Sequence, residues 1–93
     1  MIYDRVYSAR FKKDLRRAAK RGKDLSLIAE AIDRLANGEA LPPEYRDHPL
    51  KGKYIGYREC HLEDDWLLVY KRDKGCLILL LSRTGTHQNL FNE

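Results

Sequence analysis

Hydrophobic and polar positions recur at two different periods along the chain, and the changes of period predict the elements. From Ile2 to Tyr7, β-branched and aromatic residues alternate with Asp4 and Arg5, the pattern of a strand with one wet face. Ser8 then offers a helix N-cap. Phe11, Leu15, Ala18 and Ala19 fall at i, i+4, i+7 and i+8, a narrow apolar stripe on a first helix that Gly22 stops. Asp24 caps a second helix, in which Leu25, Ile28, Ile32 and Leu35 recur at helical spacing until Gly38 supplies the exit. The two make a helical hairpin. Asn37 to Pro49 contains Gly38 and all three prolines, which predicts a surface loop without regular structure, with His48 at its end. Strands are then expected over Tyr54 to Leu62, Trp66 to Lys71 and Cys76 to Ser82. Their links, Glu63-Asp64-Asp65 and Arg72-Asp73-Lys74-Gly75, are short enough to require antiparallel hairpins. Cys76 to Leu81 is apolar on both alternating faces, which makes it a central strand covered on both sides. Leu90 and Phe91 close the chain as a short helical turn packed back on the domain. The order predicts an α+β fold with the helices on one face of the sheet.

Composition limits this to one domain. The 93 residues are 43% hydrophobic and 34% charged, enough for a single small core and no second one. The longest apolar run, Cys76 to Leu81, is too short to span a bilayer, and Tyr3, Asp4 and Arg5 replace any apolar signal core, so a cytoplasmic chain without membrane contact is expected. Cys60 and Cys76 lack metal-ligand spacing and read as free core thiols. The net charge of +4 is uneven: residues 1 to 23 hold nine Lys and Arg against Asp4 and Asp14. A solvated helix face accounts for such density as well as a phosphate backbone or an acidic protein partner does.

Candidate chemistry gathers around Tyr57 to Tyr70, where Glu63, Asp64, Asp65, His61 and the only tryptophan, Trp66, crowd the start of an apolar strand. His48 precedes this run and His87 follows the next strand; a sheet could bring all three imidazoles to one edge. There is no phosphate-binding glycine loop, no His-Glu-x-x-His, and no serine in the setting of a hydrolase nucleophile. What remains is His48, His61, Asp65, Arg83 and His87, a set without its own nucleophile. It suits a reaction in which the substrate supplies the attacking oxygen, as RNA does with its 2′-hydroxyl. Such cleavage needs a base, an acid for the leaving 5′-oxygen and a cation for the charge on phosphorus. Trp66 or Phe91 could stack on an unpaired base. Each residue also has a plainer reading: His48 as a surface histidine, His61 at a strand end, His87 capping the last helix, Asp65 as a turn acid, Trp66 and Phe91 as packing aromatics, Arg83 paired with a carboxylate. Two rival classes are a metal-dependent nuclease using the histidines and Asp65, and a non-catalytic RNA-binding or regulatory module.

The blocks Asp47-His48-Pro49-Leu50, Gly52, Gly56-Tyr57-Arg58, His61, Asp65-Trp66, Tyr70, Arg83-Thr84-Gly85-Thr86-His87 and Leu90-Phe91 agree in order and spacing with a known pattern. The chain resembles the YafQ family of bacterial toxins, within the RelE/ParE superfamily of mRNA interferases, over almost its whole length. The resemblance implies a RelE-like sheet and a type II toxin that cleaves translated mRNA in the ribosomal A site, beside 16S rRNA. No cofactor or metal is implied, and a cognate antitoxin is the inhibitor. The family's functional positions fall on His48, His61, Asp65, Trp66, Arg83, His87 and Phe91. In the mechanism expected from this set, His87 is the general acid, His61 or Asp65 takes the 2′-proton, Arg83 stabilises the phosphorane and His48 positions the backbone, with acid and base exchangeable. Lys12, Lys13, Arg16, Arg17, Lys20 and Arg21 are expected to meet ribosomal RNA or the antitoxin.

Overall fold

In the computed structural model, which describes residues 2–91, one five-stranded sheet carries every other element. The chain runs through β1 (Asp4–Tyr7), α1 (Ala9–Lys20), α2 (Leu25–Ala36), β2 (His48–Pro49), β3 (Arg58–Glu63), β4 (Trp66–Asp73), β5 (Ile78–Gly85) and α3 (His87–Phe91). Spatial order is β1-β5-β4-β3-β2. The neighbours β2 to β5 pair antiparallel, as their connections dictate, whereas β1 joins β5 in parallel after the helical hairpin.

The caps work as the sequence predicts. Ser8 Oγ accepts the Phe11 N–H at 3.0 Å and donates to the Ser82 carbonyl at 2.7 Å, so one hydroxyl both starts α1 and pins it to β5. Gly22, at φ +79°, takes the left-handed position that lets its own N–H and that of Lys23 return to the carbonyls of Ala19 and Ala18. Asp24 caps α2 by accepting the Ser26 N–H at 3.0 Å. The stripe of α1 differs by one residue: Ala19 is exposed and Asp14 is buried. That carboxylate is drawn inward by Arg83.

The sheet is covered on both faces. Trp66, Leu68 and Tyr70 pack with Phe11, Ile28, Ile32 and Leu35 of the hairpin, while Leu67 and Val69 point the other way, to Leu90, Leu50, Tyr57 and Phe91. The long helices therefore lie on one face, and α3 closes the other.

Several boundaries move. The first strand begins at Asp4 and is exposed throughout. Gly52–Tyr54 forms a 3-10 turn, so β3 starts only at Arg58, and the prolyl loop contains a second such turn, Pro43–Tyr45, and the two-residue β2. The last strand starts at Ile78 because Leu77 adopts φ +54° in the preceding turn; it lies inside the sheet, but β4 holds the centre. Cys76 consequently sits in an exposed turn, and only Cys60 is a core thiol. Among the described residues no helix is long and apolar enough to cross a membrane.

Candidate active site

Alternation along β3 puts Glu59 and His61 on the same face, opposite Val69 and Leu67 of β4, and away from the hairpin. β2 pairs His48 with Glu59, and α3, docked on that face through Leu90, begins with His87. Three imidazoles thus converge: ring centroids lie 6.2 Å apart for His48 and His61 and 5.8 Å for His61 and His87. At their centre is a residue that sequence reasoning missed. Glu59 Oε2 lies 3.1 Å from His48 Nε2 and 3.8 Å from both His61 Nε2 and His87 Nε2, on a side chain only 4% exposed. The available signal was its position two residues before His61, which in a strand means the same face.

The partners of each ring fix its hydrogens. His48 Nδ1 is 2.7 Å from the Arg46 carbonyl, which can only accept, and its Nε2 faces the Glu59 carboxylate. Both nitrogens are therefore placed to donate. His61 is different, because its Nδ1 lies 3.2 Å from Arg46 Nη2, which can only donate, so this nitrogen presents its lone pair. Burial, and then the Arg46 charge, hold the His61 pKa below the ordinary imidazole value. His87 Nδ1 contacts Asp65 Oδ1 at 3.3 Å, and the same oxygen accepts the His87 backbone N–H at 3.2 Å. Those contacts, the backbone one foremost, lower the Asp65 pKa. Asp65, not Asp64, thus faces the site; Asp64 is fully exposed and reaches Arg46 at 3.7 Å.

Because β2 is only two residues long, its position depends on what lies beside it. Tyr70 Oη donates to the Asp47 carboxylate, 2.8 Å from each oxygen, and Arg58 Nε adds a contact at 3.2 Å. Arg46, at φ +49°, then turns its carbonyl to His48 and its guanidinium to His61. Phe91 is half-buried, packed on Leu90 and its neighbours, with its ring 6.1 Å from His87 and edge-on to Tyr54.

Two expected members stand elsewhere. Arg83 is buried between α1 and the sheet, with Nε 2.9 Å from Asp14 Oδ2 and Nη2 3.3 Å from Asp14 Oδ1. The same Oδ2 accepts the Thr84 N–H at 3.2 Å. A β-bulge at Ser82 precedes this turn toward the helix. Arg83 borders a recess of about 610 Å³ between α1 and α3 whose lining includes none of the histidines; a guanidinium this buried requires a counter-charge, and Asp14 supplies it. Trp66 is 2% exposed within the hairpin-side core, beneath Lys23 Nζ at 5.9 Å, and presents no face to a base. Strand alternation turns it away from Leu67 and the histidines. The basic residues Lys12, Lys13, Arg16, Arg17, Lys20 and Arg21 all face solvent.

His48, Glu59 and His61 also offer ligand atoms that all lie within 4.8 Å of one another, a nitrogen and oxygen set compatible with a transition-metal ion. Sequence spacing had given no sign of it, since the three come from two strands.

Comparison with known proteins shows which chains share this sequence and fold. Residues 3–92 match the family model described as bacterial toxin of type II toxin-antitoxin system, YafQ. The mRNA interferase toxin YafQ of Escherichia coli K12 is 44% identical over 90 residues, 95% of each chain. A toxin chain in the crystal structure of the E. coli DinJ-YafQ toxin-antitoxin complex superposes with a TM-score of 0.89 at 41% identity, covering 98% of this chain and 99% of that one. A metal-bound toxin from Helicobacter pylori gives 0.89 at 44% identity, covering 98% and 100%. Matched over nearly its whole length, the chain belongs to the YafQ family of bacterial toxins of type II toxin-antitoxin systems.

Proposed function

We propose that this toxin is an endoribonuclease of the mRNA interferase type, which cuts translated message in the ribosomal A site by attack of the message's own 2′-hydroxyl. The observation that carries the reading is the convergence of His48, His61 and His87 on Glu59, with Asp65 behind His87. Asp65 accepts from His87 Nδ1, which leaves Nε2 of the neutral ring as a base for the 2′-proton. His48 is placed to donate from both nitrogens and protonates the departing 5′-oxygen. His87 is thus the base and not the acid expected from sequence, and His48, expected to position the backbone, is the acid. As the 2′-oxygen bonds to phosphorus and the 5′-oxygen leaves, Arg46 beside His61 faces the charge on the phosphorane. The products are a 2′,3′-cyclic phosphate and a 5′-hydroxyl. Phe91 offers the stacking surface, and the exposed cations of α1 and its C-terminal cap supply the polyanion-binding face for ribosomal RNA or an acidic antitoxin.

Sequencing RNA ends on translating ribosomes after induction tests the activity directly: cuts within occupied A sites support it, and unbroken message removes it. His87→Ala should lower single-turnover cleavage by on the order of 10² to 10⁴ and remove one limb of a bell-shaped pH profile. An unchanged profile would take His87 out of the mechanism. One observation favours a second reading, in which the His48, Glu59 and His61 cluster holds a catalytic metal. Excess chelator would abolish cleavage under that reading and leave it intact under the metal-independent one.

A further inference from the structure

Beside Trp66 lies a small cavity that the mechanism above does not use. Its volume is about 20 Å³, where about 10 to 15 Å³ suffices for one water-sized atom. Trp66 forms part of the wall, with Thr86 and Asn89 around the start of α3 and Arg17, Arg21 and Lys23 around the end of α1. None of the three histidines lines it.

The polar groups on this wall call for an acceptor. Trp66 is 2% exposed, and its Nε1, which can only donate, is buried with no partner among the described residues. Native structures rarely leave a buried donor unpaired, and a phenylalanine would fill the same core without one. Thr86 Oγ1 already accepts the Asn89 backbone N–H at 3.1 Å, which leaves the hydroxyl proton to donate, and the Asn89 amide brings two more. The one carboxylate on the wall, Asp14, is taken by Arg83 and by the Thr84 N–H. Charge makes the missing acceptor an anion. Arg17 and Arg21 stand four residues apart across the last turn of α1, a spacing at which like charges repel, and neither holds an ion pair among the described residues. Lys23 is paired with Glu63 at 3.0 Å and adds less. The carbonyls of Arg17, Ala18 and Ala19 would oppose an anion at this helix end, but they accept the N–H groups of Arg21, Lys23 and Gly22 at 3.1 Å. Planar guanidinium forks suit an oxyanion.

We propose that this cavity is an oxyanion site, in which one non-bridging oxygen of an RNA backbone phosphate sits against the Trp66 N–H while Arg17 and Arg21 hold the other. It rests on the RNA reading above, and it gives Trp66 a part through its ring edge at a phosphate that is not broken. A free phosphate or sulfate carries the same chemistry, and the test separates the two sources. Trp66 is the only tryptophan, so a single indole cross-peak in the ¹⁵N–¹H NMR spectrum reports the site. Inorganic sulfate, and then 2′-O-methyl RNA of about eight nucleotides, is titrated in a chloride background of constant ionic strength. The cross-peak is expected to move saturably with each. Arg17→Gln with Arg21→Gln should weaken both on the order of tenfold or more, whereas Arg16→Gln with Lys20→Gln, the same charge change off the cavity wall, should weaken them by less than about twofold. A cross-peak that neither ligand moves leaves the cavity to a buried water and overturns the proposal. Equal losses in the two variants also overturn it, since only the overall field would then matter. Movement with sulfate but not with RNA gives the site to a free anion and overturns the assignment to RNA. A toxin whose indole responds to RNA but which cuts no message on ribosomes keeps the site and loses the nuclease reading.

Discussion

At Glu59 a carboxylate nearly removed from water lies among three imidazoles. Glu59→Gln keeps the shape and removes the charge. Cleavage should fall by on the order of 10² or more, while the urea midpoint stays level or rises because a desolvated charge has gone. Undiminished cleavage would exclude Glu59 from the site. His61 offers a separate test. Burial and Arg46 hold its folded pKa below the ordinary value of about 6.5, so the unfolded chain takes up this proton first as pH falls, and stability should decline below that value. Arg46→Ala should raise the His61 titration midpoint seen by NMR and reduce the acid loss; an unmoved midpoint would contradict the assigned cause. The histidines and Asp65 were legible in the sequence because few residue types can move protons near neutral pH. Glu59 was not, since one acid among fourteen Asp and Glu looks like surface until strand pairing gives it neighbours. The partner of Arg83 was hidden for a related reason: Asp14 lies 69 residues away and no local pattern announces it.

Elements position these groups through a few buried polar contacts. β2 has two residues, and what fixes it is the Asp47 carboxylate held by Tyr70 and Arg58. Tyr70→Phe should cost about 1 to 3 kcal/mol in a denaturant titration, since Asp47 loses its buried donor, and should slow cleavage through displacement of His48. If stability falls while the His48 environment and the rate are unchanged, the anchor is structural alone. At α1, Asp14→Ala strands a buried guanidinium and should destabilise the fold by about 3 to 5 kcal/mol, checked the same way. Helices were the best-read elements, because Ser8, Asp24, Gly22 and Gly38 announce their ends chemically. Strand starts were read less well. The backbone before β3 and β5 goes through a 3-10 turn and a left-handed Leu77, which apolar patterning does not register.

Across the whole molecule, the two faces of the sheet divide the work. One is filled by the helical hairpin; the other carries the histidines and is closed by α3. Short hairpin links foretold the order of β3, β4 and β5, but a link of two helices and a loop says nothing about where β1 will dock. That docking joins Asp4 to Ile78 and Tyr7 to Leu81, and His87 follows only after β5. The consequence concerns the toxin's own manufacture. A nascent polypeptide lacks the partner of its first strand until β5 has been made, and one of its three imidazoles until synthesis reaches His87, so neither the sheet nor the histidine cluster can close early in synthesis.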